Sequence, residues 1–167
     1  EVDALNQHTK ADKVYIVCSK EQLDENGSMK IFSMIDKLSA ELSVASDNET
    51  RKRLLMRRAI AHSVLRDFEA AISDFTYYIS LDDKNSLAYW QRAVCQAEMD
   101  EFNKAEGKGV LNIHSAEADF SDAIRQNSNN AYIYYNRGNL HAGRNELSKA
   151  IDDYTIALRI DNRLAEA

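Results

Sequence analysis

A chain of 167 residues, 44% hydrophobic and 29% charged, has the composition of one soluble domain. Its net charge of −6 argues against a nucleic-acid groove, which needs a basic surface to neutralise phosphates. No apolar run approaches the roughly 20 residues of a membrane span, no basic-then-apolar signal peptide is present, and two cysteines are too few for a disulfide framework.

The chain opens on Glu1 and not on methionine, which predicts removal of a leader or upstream domain and leaves cytoplasmic and exported locations both open. Residues 1–51 form an acidic segment. Within it, Val14-Tyr15-Ile16-Val17 has strand composition, while Ala11, Val14, Tyr15 and Cys18 recur with a helical period. A helix over 10–24 is the favoured reading and an extended segment the competing one. Asp24-Glu25-Asn26-Gly27 reads as a turn. From Met29 to Ala45, Ile31, Met34, Ile35, Leu38 and Leu42 fall at three- and four-residue spacings and predict an amphipathic helix with Ser28 as its N-cap. Paired with a helix over 10–24, it would form a divergent hairpin. The triplets Asn26-Gly27-Ser28 and Asn48-Glu49-Thr50 read as turn chemistry more readily than as glycosylation acceptors. A basic cluster follows, Arg51, Lys52, Arg53, Arg57 and Arg58, and reads as a solvated helix face.

The rest of the chain repeats itself. Small residues follow arginines at Arg58-Ala59, Arg92-Ala93 and Arg137-Gly138, and aromatics follow aspartates at Asp74-Phe75, Asp119-Phe120 and Asp153-Tyr154. Ala59 and Ala93 stand 34 residues apart, as do Phe120 and Tyr154. From small residue to aromatic the spacing is 16 in the first and third copies and 27 in the second, so 11 extra residues lie between that copy's two helices. Helices are predicted near 50–65, 68–81, 86–101, 114–126, 131–143 and 147–160. The insertion, roughly Ala105 to Ser115, contains Gly107-Lys108-Gly109, which should interrupt a helix; at about three helical turns in length, it predicts a lengthened pair of helices with a glycine-containing tip. A phosphate-loop reading of that triplet fails for want of a preceding strand, wider glycine spacing and a Ser or Thr after the lysine.

These copies resemble the tetratricopeptide repeat (TPR) family in three units, 52–85, 86–130 and 131–164. Tyr134, Gly138, Ala150, Tyr154 and Ala157 match the family signature best. Leu55, Ala59, Ala71 and Phe75 answer in the first copy, and Tyr89, Ala93, Ala116, Phe120 and Ala123 in the second. The small residue lets the second helix's backbone approach, and the aromatic fills the space between the helices. Two departures stand out. The family's usual proline after the second helix is replaced by Asp83, Ser128 and Asn162, so polar caps must end the helices. Tyr78 stands where the family prefers alanine, implying a wider first hairpin.

The resemblance implies an all-α, right-handed α-solenoid of helix-turn-helix hairpins, with the second repeat enlarged by the insertion. It places the leading helices on a concave side, with a groove lined by Arg53, Met56, Arg57 and Ile60, then Leu87, Trp90, Gln91 and Val94, then Tyr132, Tyr135, Asn136 and Asn139. Aromatic anchors and side-chain amides suit a protein or peptide partner, although Trp90 or Tyr135 would equally pack between hairpins. The family's clamp for chaperone carboxylate tails is absent, because Met56, Ile60, Gln91, Tyr132 and Asn136 occupy its positions.

No catalytic residue, cofactor or metal site is expected: His8, His62, His114 and His141 are scattered, and Asp152-Asp153 points two ways on a helix. Ala165-Glu166-Ala167 reads as the start of a truncated further repeat, which predicts an uncovered C-terminal flank able to form a homo-oligomer. The implied function is a non-catalytic interaction scaffold. A structural module whose groove is filled by its own chain, through residues 10–24, and an accessory region of a larger enzyme are the alternatives.

Overall fold

The computed structural model describes residues 24–108 and 115–162. Among them are seven α-helices and no strand, in two compact units, one ending at Asp83 and the other starting at Lys84. The segment 10–24 (but for its last residue), the tip of the insertion at 109–114 and the closing 165–167 lie outside the described residues.

The first unit contains α1 (Glu25–Val44), α2 (Asn48–Val64) and α3 (Phe68–Leu81). Helix α1 starts earlier than its apolar pattern indicates. Asp24 accepts from the backbone N–H of Gly27 at 2.6 Å, so the expected turn at 24–27 is the helix's first turn and Ser28 lies inside it. An aspartate there supplies both the missing acceptor and a negative charge at the positive end of the helix dipole. Asp47 caps α2 in the same way, accepting from Thr50, and that bond holds its carboxyl below the usual range. Leu55, Ala59, Ala71 and Phe75 are buried where α2 and α3 face each other.

The second unit contains α4 (Ser86–Ala105), α5 (Ala116–Gln126), α6 (Ala131–Gly143) and α7 (Leu147–Ile160). Its core joins Trp90 and Ala93 of α4, Ala116, Phe120 and Ala123 of α5, and Ile133 of α6. A second cluster, Ala131, Tyr134 and Ala157, lies between α6 and α7. Here the small residue is glycine for a steric reason: a Cβ on Gly138 would stand 2.6 Å from Cε1 of Tyr154. Cys95 is enclosed, and burial pushes its thiol far up the scale, so it stays protonated and unreactive at neutral pH.

The turns between paired helices share one termination chemistry. After α2, the N–H of Arg66 donates to Ser63 and that of Asp67 to His62, with Arg66 at φ 61°. After α6, Asn145 donates to Ala142 and Glu146 to His141, again with φ 61° at Asn145. This is a Schellman stop, in which a left-handed residue returns two N–H groups to the last carbonyls. Helix α4 uses the same stop at Gly107, φ 68°, with Gly107 donating to Lys104 and Lys108 to Asn103. Arg66 and Asn145 come 7 residues after their small residues, whereas Gly107 comes 14 after Ala93. Past its small residue, helix α4 therefore runs about two turns further than its counterparts, and it ends four residues beyond the expected end near 101.

One ion pair recurs in every hairpin. Arg58 with Asp74, Arg92 with Asp119 and Arg137 with Asp153 each join Nε to Oδ2 and Nη2 to Oδ1 at 2.6–2.8 Å. The bond to aspartate holds the guanidinium of Arg58 and of Arg137 firmly protonated. Arg58 therefore does not belong to a solvated basic face, as the sequence suggested. Lys52 also departs from that expectation, pairing with Glu49 and Asp82. The Arg92–Asp119 pair is the most enclosed, with both side chains under a tenth exposed. Removing one partner of such a pair strands a buried charge, so Asp119→Ala should cost about 3–5 kcal/mol and Asp74→Ala less, since Arg58 keeps more solvent. Urea denaturation checks this order, and a parental midpoint for Asp119→Ala would contradict it.

Candidate functional site

Spacings of three and four place Tyr132, Tyr135, Asn136 and Asn139 on one face of α6. Asn130 starts that helix by accepting from the N–H of Tyr132 at 3.0 Å. Tyr132 is half-buried against the Trp90 cluster. The ring of Tyr135, also half-buried, stands 5.9 Å from that of Tyr154 on α7. Tyr154 donates its hydroxyl to Oδ1 of Asn139 at 2.7 Å. Burial, with Tyr135 and Asp153 nearby, pushes the Tyr154 hydroxyl up, which keeps it a donor.

What this face leaves unpaired is its most informative property. Among the described residues, the hydroxyls of Tyr132 and Tyr135 and the side-chain amide of Asn136 have no hydrogen-bond partner. On α4, Leu87 and Val94 are half-buried against the same core as Tyr132. The second unit thus brings together an apolar floor, two phenols and two amides.

Two residues expected on this face are elsewhere. Trp90 is 1% exposed and belongs to the core, and Gln91 is equally enclosed, with its Oε1 lacking a partner. The family resemblance puts both in the groove, with packing between hairpins the alternative for Trp90; in the fold both side chains are enclosed. In the first unit, α2 carries Arg53, exposed, then Met56 and Arg57, half-buried, and Ile60, which is buried.

A polar group that the sequence did not indicate joins α5, α6 and the turn before α7. Glu117, His141 and Glu146 bring one potential ligand atom each to within 4.8 Å of one another. Two cations already serve the carboxylates: Arg144 lies 3.3 Å from Glu117, and Lys149 lies 3.3 Å from Glu146 and 3.7 Å from Glu117. His141 Nδ1 and Glu146 Oε2 are 2.6 Å apart, and this bond, then Lys149, holds the Glu146 carboxyl low. His62 and Asp67 repeat the arrangement at 3.1 Å in the first unit. The histidine–acid pair is therefore a device of the interhelical turn, joining the end of one helix to the start of the next.

No protein-family model matches the chain. Its sequence is 32% identical to human tetratricopeptide repeat protein 6, over 56% of this chain and 22% of that protein, so it spans about a fifth of that relative's length. The structure is similar to the TPR domain of Arabidopsis OM64, with a TM-score of 0.59 and 21% identity over 70% of this chain and 87% of that one. It is also similar to YrrB, a TPR protein with an unusual peptide-binding site, with a TM-score of 0.65 and 18% identity over 92% and 67% of the two chains.

The geometry separates folding residues from surface residues. Trp90→Ala should cost about 3–5 kcal/mol through the cavity it leaves, whereas Asn136→Ala should stay within about 0.5 kcal/mol. Thermal and urea melts of the two variants check this, and equal stability would place Trp90 outside the core.

Proposed function

We infer that the chain is a member of the tetratricopeptide repeat family, and on that premise we propose that it is a non-catalytic interaction scaffold binding an extended peptide or helix of a partner protein. We read 52–85, 86–130 and 131–164 as its three repeats and the α6 face as the main contact. The unpaired hydroxyls and amide on half-buried Tyr132, Tyr135 and Asn136 carry this reading. Half-buried polar groups left unpaired within a fold favour a ligand that pairs with them, and aromatic rings supply large contact area with few rotamers to freeze. Leu87 and Val94 add the apolar surface beside them. Asn139 of α6 adds a second amide to the same face.

A displayed library of random twelve-residue peptides, selected on the intact chain, tests the reading. Selected peptides should bind less tightly to Tyr135→Ala and to Asn136→Ala by about 1–2 kcal/mol each in calorimetric titration, with Asn136→Ala as stable as the parent and Tyr135→Ala still folded by circular dichroism. Failure to enrich any peptide, or binding by both variants as tight as by the parent, would overturn it.

A second reading is self-association, favoured by Leu147, Ile151 and Leu158, which are 59%, 63% and 41% exposed on α7. Light scattering should then show a dimer that Ile151→Asp disperses. A monomer at high concentration would remove this reading and leave the first intact.

A further inference from the structure

The extra length of α4 gives the α6 face an acidic end. Where the shorter leading helices turn, at Arg66 and Asn145, α4 continues in helix and carries Asp100 and Glu101 onward. Glu101 leans on the end of α6, since a Cβ placed on Gly143 would stand 3.1 Å from its Oε1. Gly143 follows Asn139 by four residues and Asn136 by seven, so it continues the same face. Glu101 therefore stands at the C-terminal end of the strip formed by Tyr132, Tyr135, Asn136 and Asn139.

The charges around it are already matched. Arg144 pairs with Glu117 and also lies near Asp100, whose carboxyl burial pushes up and Arg144 pulls down. Lys149 pairs with Glu117 and Glu146. Glu101 is exposed and has no ion-pair partner among the described residues. It also lies at the C-terminal end of a helix, where the backbone dipole is negative and favours a cation.

We propose that Glu101 and the end of α6 form a subsite for a lysine or arginine of the bound peptide. This rests on the reading that the α6 face binds peptide, and it gives the lengthened α4 a role in selecting the partner. Helix rise puts Gly143 about 10 Å from Asn136. An extended chain covers that distance in about three residues. The basic residue should therefore lie about three positions from the residue seated on Tyr135 and Asn136.

Selection of random twelve-residue peptides on the intact chain and on Glu101→Gln separates the two ideas. The parent should enrich apolar or aromatic peptides with Lys or Arg at that spacing, and Glu101→Gln should enrich the apolar part without it. Replacing that basic residue by alanine in a selected peptide should weaken parental binding about three- to fivefold, with the loss reduced by salt, and should change nothing for Glu101→Gln. Apolar peptides without a basic preference would overturn this inference and leave the binding face standing. No enrichment at all would overturn both.

Discussion

The hairpins of this chain depend on an arginine–aspartate pair between their helices, with the aspartate buried in each. Burying either charge alone would be costly, so the fold is favourable only when both are present and bidentate. Bidentate geometry is demanding: Nε and Nη2 must meet Oδ2 and Oδ1 together, which one register of the two helices allows. The pair is the same at a sequence separation of 16 in two hairpins and 27 in the other, so the constraint acts in space and tolerates a longer connection. The arginine also reaches back to the preceding helix. Arg58 donates to Ser39 of α1 at 3.0 Å, and Arg137 to Ser121 of α5 at 3.4 Å. One cation thereby ties three helices within each unit.

Much of this was legible in the sequence, because the small residue and the aromatic must meet face to face and their spacing records the hairpin. The expected bounds of α3, α6 and α7 agree with the observed ones. The start of α1 was missed because apolar periodicity reports the buried stripe, and the first turn before that stripe is polar. The insertion's length of about three turns indicates lengthened helices around a glycine-containing tip, but the end of α4 lies four residues past the expected 101, where the composition departs from the repeat frame. Only Gly107 marked the stop, through the left-handed backbone it adopts. Arginine and aspartate were visible as flags beside the frame residues, but their pairing was not. Partners 16 or 27 residues apart on different helices leave no periodic trace on either one.

The candidate face was legible in part, and the reason differs by residue. The family resemblance names Tyr132, Tyr135, Asn136 and Asn139, and helical spacing sets them on one face of α6. It cannot tell how deeply a helix sits in the fold, so Trp90 and Gln91 received the same outward assignment despite being enclosed. Glu101 escaped because its position depends on the length of α4 and on the approach of that helix to Gly143. The lengthening follows from the 11 extra residues of the second copy, but the approach to Gly143 does not.

Helix α6 shows how one element can serve folding and recognition independently. Its inward residues are engaged: Arg137 with Asp153, Gly138 under Tyr154, Tyr134 in the core with its ring 5.8 Å from the Arg137 guanidinium, and His141 with Glu146. Its outward residues make few bonds within the fold, and the hydrogen bond from Tyr154 to Asn139 fixes only one oxygen of the strip. Changes at Asn136 therefore alter what the face can bind at little cost in stability, changes at Tyr132 and Tyr135 also remove packing, and changes on the inward side unlock the hairpin. The lengthened α4 follows the same division. Its frame residues Trp90, Arg92 and Ala93 hold the core, and its added turns carry charge to the edge of the α6 face without entering that core.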